Sequence, residues 1–485
     1  MTPASTALHA GHRRRELDAA ADDTCDLLVV GGGITGTGVA LDAASRGLRV
    51  TLIEAEDLAF GTSRFSSKLV HGGLRYLATG DVATARESAR ERHLLMTVIA
   101  PHLIRPLGQL LPFAPGVSGR QRGAGAAGMA MGDLLRLQAR TSGKVLPGPH
   151  AVGTARALRL FPALNPWGLR GGMVTYDGQL SDDAALVVAV ARTAAGLGAR
   201  ILTRVRAERL HADGATATDM LTGERIEIRA RAVVNATGVW AATLDDGLTL
   251  RPSRGTHIVL DAADLGHPTA ALTIPLEGSI SRYVFALPQR GGRVIVGLTD
   301  VDAPGPIPSV AEPTETEIDF LLETLNRLLA VPLARDRVRG AFAGLRPLVD
   351  TGAAETADVS RRHLVRTSES GVVSVLGGKL TTYRRMAEDA VDLAVRQRGL
   401  RVGPSGTATL RLIDDPAPDN GSQDAVADGI ALSRPVVEHA VRSQGALTAA
   451  DVLDRRTRIG LVPDERARAL PTVERIVAET LADIP

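Results

Sequence analysis

The chain contains 485 residues, of which 44% are hydrophobic and 23% are charged, and it has a formal net charge of +2 at pH 7. This length is enough for about two or three domains with a sizeable core. The small net charge argues against a general nucleic-acid-binding protein, which would carry a large basic excess. The one cysteine, Cys25, excludes an intrachain disulfide and a cysteine-based metal cluster. We therefore expect a cytoplasmic protein without a metal site or a nucleic-acid partner.

The first 23 residues predict a flexible extension and not an export signal. They contain three consecutive arginines at 13–15, but the residues that follow are acidic and polar, whereas a secretory or twin-arginine signal needs an apolar stretch at that place. No segment elsewhere reaches the run of about 18–20 apolar residues that a membrane-spanning helix requires. We therefore expect no transmembrane helix.

Residues 26–55 carry the pattern around which the chain is organised: a strand, a glycine turn, a helix and a second strand. Apolar residues 27–30 predict a buried parallel strand that leads directly into the turn. The glycines of the turn have the spacing G-x-G-x-x-G. The first glycine allows the sharp turn, and the second lets a pyrophosphate approach the backbone. The third lets the helix pack closely on the strand. The glycines are Gly31, Gly33 and Gly36.

The other parts of this pattern agree in register with the glycines. The helix at about 35–46 would direct the positive end of its dipole at the phosphates. The second strand, 50–53, ends at Glu54, where a carboxylate can hold the hydroxyl groups of a ribose. Together these features predict a dinucleotide-binding site.

Three segments follow. Residues 56–77 are rich in glycine and serine, which predicts a functional loop. A helix with a charged face is expected from 81 to about 99. Residues 102–150 combine apolar pieces with scattered arginines. Their composition favours a loosely packed surface excursion over an amphipathic surface that touches anionic lipid. The first of these segments, the loop at 56–77, carries three candidate functional side chains: Lys68, His71 and Arg75.

The second half of the chain repeats the strand–glycine–helix theme. An apolar strand at 232–236 ends at Thr237-Gly238, where a small residue lets the backbone lie against the adenosine side of a cofactor. Alternating strands between 256 and 301 predict an antiparallel sheet in a separate lobe. A strand at 372–376 then meets two glycines before a helix. The last 85 or so residues predict a linker followed by a helical tail.

Taken together, these motifs resemble those of the FAD-dependent glycerol-3-phosphate dehydrogenases, the quinone-linked flavoproteins. The matches follow the family's order from 26 to about 395, and the pair HGGLRY and GGKLTTYR is far more specific than a glycine triplet. The C-terminal stretch HAVRSQGALTAADVLDRRTRIG resembles the family's small helical domain, whereas residues 102–150 are poorer in aromatics than the family's pattern. Besides the glycine turn, the matching stretches are SSKLVHGGLRYL, YDGQLSDDAALVV, VVNATGVW, RGTHIVL, GLTDVD, GLRPLVD and GGKLTTYRRMAEDAV.

The resemblance implies an α/β fold in which a Rossmann-like FAD-binding domain is interleaved with an antiparallel-sheet substrate domain, followed by a small C-terminal helical domain. The expected segments are a flexible N-terminal extension at 1–23, FAD-binding parts at 24–100, 161–240 and 341–400, a surface excursion open to membrane contact at 101–160, a substrate-binding domain at 241–340, and a linker with the helical domain at 401–485.

For the substrate, a dianionic phosphate ester needs guanidinium groups matched to its oxygens. By motif match we expect contacts from Arg75 and Tyr76 in HGGLRY and from Arg346 in GLRPL, with Arg361 in SRRH as a weaker candidate. Lys379 stands at the GGK turn, where it could bind the substrate or the flavin and stabilise negative charge on the reduced flavin.

His71 and His257 are the two candidate bases, because imidazole titrates close to the working pH. The sequence does not separate them. With His71 and His257, Lys379 and Arg346 complete the set of expected catalytic residues. The expected FAD-binding residues are Gly31, Gly33, Gly36, Glu54, Thr62, Ser63, Ser67, Val205, Gly238, Gly378 and Thr381.

The resemblance implies that sn-glycerol 3-phosphate is oxidised to dihydroxyacetone phosphate. A base would remove the 2-hydroxyl proton while a hydride leaves C2 for the flavin. The electrons would pass to a membrane quinone, so we expect peripheral association with the inner face of the cell membrane. Arg105, Arg120 and Arg122, beside apolar residues 107–113, are the expected basic contacts. Whether the protein forms a homodimer is an alternative that the sequence leaves open.

Other functions also stay open at this point. An oxidase would use the same pocket and pass its electrons to oxygen. A flavin amine oxidase of the glycine-oxidase kind shares the nucleotide fold, but it would need one arginine for a carboxylate and would not predict HGGLRY with GGKLTTYR. A non-catalytic flavin-binding protein would lack the polar pocket residues.

Overall fold

The computed structural model describes residues 5–73, 80–279, 282–349, 362–416, 418 and 425–485. This part of the chain forms two sheets, the helices that cover them and a C-terminal helical region. The strands are β1 (Cys25–Val30), β2 (Val50–Glu54), β3 (Leu69–Val70), β4 (Ile104–Pro112), β5 (His150–Val152), β6 (Gly172–Leu180), β7 (Arg200–Thr203), β8 (Val205–His211), β9 (Gly214–Asp219), β10 (Arg225–Asn235), β11 (Ser253–Asp261), β12 (Ala271–Pro275), β13 (Tyr283–Pro288), β14 (Arg293–Gly297), β15 (Val301–Asp302), β16 (Gly340–Arg346), β17 (His363–Thr367) and β18 (Val373–Gly377).

The α-helices pack on these sheets or form the C-terminal region, where a π-helical turn, Val452–Arg456, continues a short helix. The helices are α1 (Ala10–Asp22), α2 (Ile34–Ser45), α3 (Val82–Leu94), α4 (Gly119–Gln138), α5 (Thr154–Leu160), α6 (Asp183–Gly196), α7 (Glu315–Asn326), α8 (Tyr383–Arg398), α9 (Arg434–Ser443), α10 (Ala449–Asp451) and α11 (Pro463–Ala482).

The first sheet has a parallel centre, in the order β17-β18-β10-β1-β2-β7. Val30 at the end of β1 lies opposite Ile53 of β2 and Asn235 of β10, and β18 runs parallel to β10 on its other side. The carboxyl ends of these strands therefore share one edge, which is where ligands bind in open α/β sheets. This sheet, its helices and the C-terminal helical region confirm the fold class that the sequence predicts.

Helix α2 is enclosed between the first sheet and helices α6 and α8. Its small residues make this possible, since Val39, Ala40 and Ala43 are fully buried and let the neighbouring helices approach closely. The burial fixes the N-terminus of α2 at the carboxyl edge of β1.

The second sheet is antiparallel except where β12 meets β4, and its order is β15-β11-β14-β13-β12-β4-β6-β3. Strand β16 pairs with β11, which places Arg346 opposite Ser253. Helix α7 covers this sheet with Leu321 and Leu325, both fully buried.

The structure corrects the prediction that residues 101–160 form a surface excursion. Strand β4 pairs with β6 along its whole length, from Ile104 opposite Leu180 to Pro112 opposite Gly172, and its Leu110 is fully buried. The partner strand lies far away in the sequence, so no local pattern could indicate the pairing. Helix α4 has a solvent-exposed face, and residues 142–144 and 155–156 of this region are exposed as well.

The N-terminal segment is also not the flexible extension that the sequence predicts. Residues 10–22 form helix α1, capped by the side chain of His9. The buried guanidinium of Arg13 donates to the Thr203 carbonyl oxygen over 2.7 Å and forms an ion pair of 2.5 Å with Asp219. This pairing, nearly two hundred residues distant along the chain, fixes the helix against the first sheet.

The C-terminal region packs around its own apolar core. Val437 and Val441 of α9 meet Val473 and Val477 of α11 in one buried cluster. Among the described residues, no helix combines the length and apolar character needed to cross a bilayer.

Candidate active site

A cavity of about 610 Å³ lies between the two sheets, at the carboxyl edge of the parallel strands. Its wall contains both glycine junctions, the loop after β2 and residues from β11 and β16. The chain segments that the sequence marks as functional therefore converge on one space.

The glycine turn after β1 forms a cradle that side chains would fill. Gly31 has a φ of +115°, and a Cβ there would lie 2.5 Å from the carbonyl oxygen of Ala236. A Cβ on Gly36 would lie 1.9 Å from the Gly31 carbonyl oxygen, so α2 could not pack on the turn. Gly33 is the N-cap of α2 and has no capping side chain, so the helix N-terminus is open to an anionic group.

Glu54 lies at the end of β2 against this turn, as predicted. One carboxylate oxygen accepts the Gly32 N–H over 2.5 Å and the other accepts the Glu56 N–H over 2.9 Å. Burial raises the pKa of this carboxyl, although the two backbone donors oppose the shift. The carboxylate is thus fixed in the wall of the cavity, where a ribose would lie.

The second glycine junction closes the cavity from the side of β18. Gly377 and Gly378 have φ values of +70° and +66°, and a Cβ on Gly378 would lie 2.4 Å from the Met386 sulfur. The Thr381 hydroxyl accepts the backbone N–H of His71 over 3.2 Å. This hydrogen bond joins the GGK and HGG motifs directly.

Most of the other predicted cofactor residues also line the cavity. The Ser63 hydroxyl accepts the Ile34 N–H at the start of α2 over 2.9 Å, and Thr62 donates to the Leu345 carbonyl oxygen over 2.5 Å. Gly36 is the exception, since it lies behind the turn. The residues in the wall are Gly31, Gly33, Glu54, Thr62, Ser63, Ser67, Val205, Gly238, Gly378 and Thr381.

His257 is a buried imidazole, only 2% exposed. Its Nε2 lies 2.8 Å from the Ser67 hydroxyl, and its ring stacks on Phe342 with centroids 4.8 Å apart. Its Nδ1 has no hydrogen-bond partner among the described residues. Burial, with a contribution from the Lys68 charge, lowers the pKa of His257 to about 3, so this ring stays neutral at physiological pH.

His71 has the opposite surroundings. Its side chain is 39% exposed, and Nδ1 lies 3.5 Å from a carboxylate oxygen of Asp177. The other oxygen of Asp177 accepts the Gly72 N–H over 3.0 Å and pairs with Arg92. Burial works against ionisation of Asp177, but the Arg92 charge holds the pKa of this carboxyl below its usual range. His71 therefore has an ionised partner that would stabilise an imidazolium.

Arg346 lines the cavity with a guanidinium of fixed orientation. Its Nη1 donates to the Ser253 hydroxyl over 2.9 Å and lies 3.1 Å from Asp300, while Nη2 donates to the Thr299 carbonyl oxygen. Lys379 also lines the cavity, just before the helical turn at Leu380–Thr382. Three predicted substrate contacts, Arg75, Tyr76 and Arg361, lie outside the described residues.

Asp177 was not among the predicted site residues, although it stands in the motif YDGQ. Its role depends on β6 lying beside the HGG segment, which local sequence does not indicate. Lys68, which the sequence predicts only as a functional side chain of its loop without a role, is buried 3.4 Å from Asp183. Burial lowers its pKa to about 8, although the Asp183 charge opposes the shift.

The family model for FAD-dependent oxidoreductases matches residues 26–384. The glycerol-3-phosphate dehydrogenase 1 of Mycobacterium tuberculosis is 49% identical over 99% of this chain and 100% of that protein. The glycerol-3-phosphate dehydrogenase of Bacillus halodurans, solved with FAD, superimposes with a TM-score of 0.72 at 26% identity, covering 98% and 96% of the two chains. The L-α-glycerophosphate oxidase of Mycoplasma pneumoniae shares the fold, with a TM-score of 0.59 at 18% identity over 81% of this chain and 100% of that one.

The residues of the cavity fit the cofactor of this family. The glycine cradle and the open N-terminus of α2 suit a pyrophosphate, and Glu54 suits a ribose. The second glycine junction, which lines the same cavity as His71 and His257, suits the flat ring system of a flavin because no side chain projects from it.

Proposed function

The chain belongs to the family of FAD-dependent oxidoreductases, and we propose that it oxidises sn-glycerol 3-phosphate to dihydroxyacetone phosphate. The observation that carries this proposal is one cavity that joins a dinucleotide cradle to a cationic and imidazole-bearing end. The relatives named glycerol-3-phosphate dehydrogenase match the chain over nearly its full length, which supports the same substrate.

We assign the role of base to His71 and not to His257. When His71 takes the 2-hydroxyl proton, the adjacent Asp177 carboxylate stabilises the new positive charge. His257 has no carboxylate at hydrogen-bonding distance among the described residues, and its lowered pKa makes it a poor proton acceptor. We expect His257 to orient the Ser67 hydroxyl in the cavity wall.

We expect the cationic side chains to orient the substrate. Arg346 is held by three protein oxygens, which fix the orientation of its guanidinium at this end of the cavity. Binding the phosphate there would therefore cost little side-chain entropy. Lys379 would lie near the developing carbonyl oxygen and stabilise negative charge there. FAD, when bound, supplies the acceptor for the hydride that leaves C2.

The direct test is anaerobic mixing of the purified protein with glycerol 3-phosphate while the absorbance of oxidised flavin is followed. We expect rapid bleaching with glycerol 3-phosphate and much slower bleaching with glycerol. Equal rates with both compounds would reject the phosphate ester as the substrate.

For the electron acceptor we propose a quinone. Adding a soluble quinone or oxygen to the bleached protein tests this choice: faster recovery of colour with the quinone supports it, and faster recovery with oxygen would make the protein an oxidase. The shared fold with a glycerophosphate oxidase makes this second arm necessary.

A quinone acceptor requires contact with a membrane surface, and helix α4 offers one. Met131, Leu134 and Leu137 are 46%, 56% and 56% exposed, and their spacing places them along one face of the helix. Exposed Arg120 lies near its N-terminus. We propose that this face rests on the anionic leaflet.

Two of the predicted basic contacts are less suited to that role. Arg105 donates twice to the Gln179 side chain. Arg122 donates to the carbonyl oxygens of Val117 and Ala114. Both guanidiniums therefore already donate to oxygens of the protein. We accordingly place the proposed membrane contact at the apolar face of α4 and not at these two arginines.

A further inference from the structure

The C-terminal helical region reaches the dinucleotide site through a set of arginines. We call residues 55–67, which follow the end of β2 and line much of the cavity, the cofactor loop. The π-helical turn Val452–Arg456 places two guanidiniums against Asp57 within this loop. Nε of Arg455 donates to Asp57 over 2.6 Å, and Arg456 donates to both Asp57 oxygens over 2.9 Å.

These ion pairs are buried from solvent. The side chains of Asp57, Arg455 and Arg456 are between 1% and 4% exposed. Burial opposes ionisation of Asp57, but the charges of Arg456 and Arg455 hold the pKa of its carboxyl below the usual range. Removing one partner from a buried pair leaves an uncompensated charge, so breaking this contact costs far more free energy than breaking a surface ion pair.

Two more arginines extend the contact. Arg204 bridges Glu56 of the cofactor loop and Asp451 of α10, with distances of 2.9 and 2.6 Å. Arg458 donates to the carbonyl oxygen of Arg64, further along the same loop. The region thus holds the loop at its start, its middle and its end.

The cofactor loop is in turn tied to the glycine turn. Ala59, in a left-handed conformation with a φ of +62°, donates its N–H to the Gly32 carbonyl oxygen over 3.0 Å. The Ser63 hydroxyl accepts the first N–H of α2, from Ile34. Arg455 also lies over the ring of Phe60, 5.6 Å from its centroid, and Phe60 lines the cavity. A shift of Asp57 would therefore move groups that shape the dinucleotide site.

We propose that the C-terminal helical region is a clamp that preorganises the FAD site, acting through the pairing of Arg455 and Arg456 with Asp57. The core of the region is apolar and independent of these pairs. Both arginines also bond within the region, Arg455 to Asp451 and Arg456 to the Gln444 carbonyl oxygen, but the apolar core that holds the region together does not include them. The inference rests on FAD binding alone, and a failure of the glycerol 3-phosphate assignment would leave it intact.

The test compares four variants of the full chain: Arg456→Met, Arg456→Lys, the double variant Asp57→Asn with Arg456→Met, and Arg434→Met. In the double variant no charge is stranded, because Arg455 keeps its pair with Asp451. Arg434 is the matched control, since it pairs with Glu438 and Glu479 at the surface of the same region. The measurements are the FAD dissociation constant of each apoprotein and the unfolding temperature with and without FAD.

We expect Arg456→Met and the double variant to raise the FAD dissociation constant by about tenfold or more. Arg456→Lys should have a smaller effect, because lysine keeps the charge but loses the bidentate fork, and Arg434→Met should have none. The unfolding temperature of the FAD-bound protein should fall more than that of the apoprotein. An unchanged dissociation constant in the double variant, an equal fall of both temperatures, or an apoprotein that no longer folds would overturn the proposal.

Discussion

At the scale of single residues, His71 and His257 differ in what surrounds them, and this difference predicts different variant behaviour. His71→Asn should lower kcat by about a hundredfold or more, because the proton of the 2-hydroxyl loses its acceptor. Asp177→Asn should lower kcat less than His71→Asn does, since Asp177 acts through His71. The rate of anaerobic flavin bleaching measures both effects directly.

His257→Asn is the control for that experiment, and FAD absorbance confirms that each variant keeps its cofactor. A larger loss of the bleaching rate in His257→Asn than in His71→Asn would reverse the assignment of the base.

We expect His257 instead to affect how the free energy of unfolding depends on pH. Its folded pKa of about 3 lies below the value of about 6.5 in the unfolded chain, so the unfolded state binds more protons between these values. The stability that the neutral His257 ring contributes is fully present above pH 6.5 and is lost as the pH falls towards 3. Between pH 7.5 and 5 we expect the free energy of unfolding of wild type to fall by about 2 kcal/mol more than that of His257→Asn.

Urea unfolding of both proteins at the two pH values measures this difference. Parallel losses in the two proteins would show that His257 does not resist protonation in the folded state.

Arg346 is expected to recognise the phosphate. Arg346→Ala should raise KM for glycerol 3-phosphate tenfold or more, because a charge-assisted contact is worth about 1.5–3 kcal/mol. KM for an unphosphorylated polyol should change much less. Steady-state kinetics with both substrates tests this, and equal losses would mean that Arg346 does not contact the phosphate. Arg346→Lys, which keeps the charge without the fork, should give an intermediate KM.

At the scale of elements, helix α4 is the part of the fold that we expect to touch the membrane. Changing Met131, Leu134 and Leu137 together to Ser should abolish flotation with anionic liposomes, because it removes the apolar face that would insert between lipids. Salt should weaken wild-type flotation without abolishing it. Flotation gradients at low and high salt provide the measurement.

Met220 and Leu221, 40% and 56% exposed in the turn after β9, are the matched control. Changing both to Ser should leave flotation intact. If wild type stays at the bottom of the gradient at low salt, the membrane proposal is wrong; if only the Met220 and Leu221 variant does, the surface lies elsewhere.

The elements that the sequence predicted well are those whose signals are local. The strand, glycines and helix from β1 to α2, and the junction at Gly377 and Gly378, each occupy one short stretch. The elements that it predicted wrongly depend on distant partners. Strand β4 belongs to the second sheet because of β6, and helix α1 is ordered because Arg13 reaches Asp219.

The site shows the same division. The predicted cofactor residues stand in motifs, and the structure brings nearly all of them into one cavity wall. The choice between His71 and His257 needed Asp177, whose position depends on sheet topology. A single sequence gives residue types and spacing, but pairing across a sheet decides which of two similar side chains has a charged neighbour.

At the scale of the whole molecule, the fold brings together two glycine junctions that are far apart in sequence. Strands β1, β10 and β18 are parallel neighbours, so the turns after β1 and β18 meet at one edge. The second sheet closes the cavity with Arg346 and His257 from the paired strands β16 and β11. The glycine cradle comes from one sheet, and Arg346 and His257 come from the other, so the cavity needs both sheets.

We expect this cavity to transfer a hydride from C2 of glycerol 3-phosphate to FAD. Single-turnover flavin bleaching with glycerol 3-phosphate deuterated at C2 tests it most directly, in the absence of oxygen and quinone. We expect complete bleaching, slower with the deuterated substrate than with the ordinary one, and one dihydroxyacetone phosphate formed per flavin. Flavin that stays oxidised with glycerol 3-phosphate in excess would contradict it.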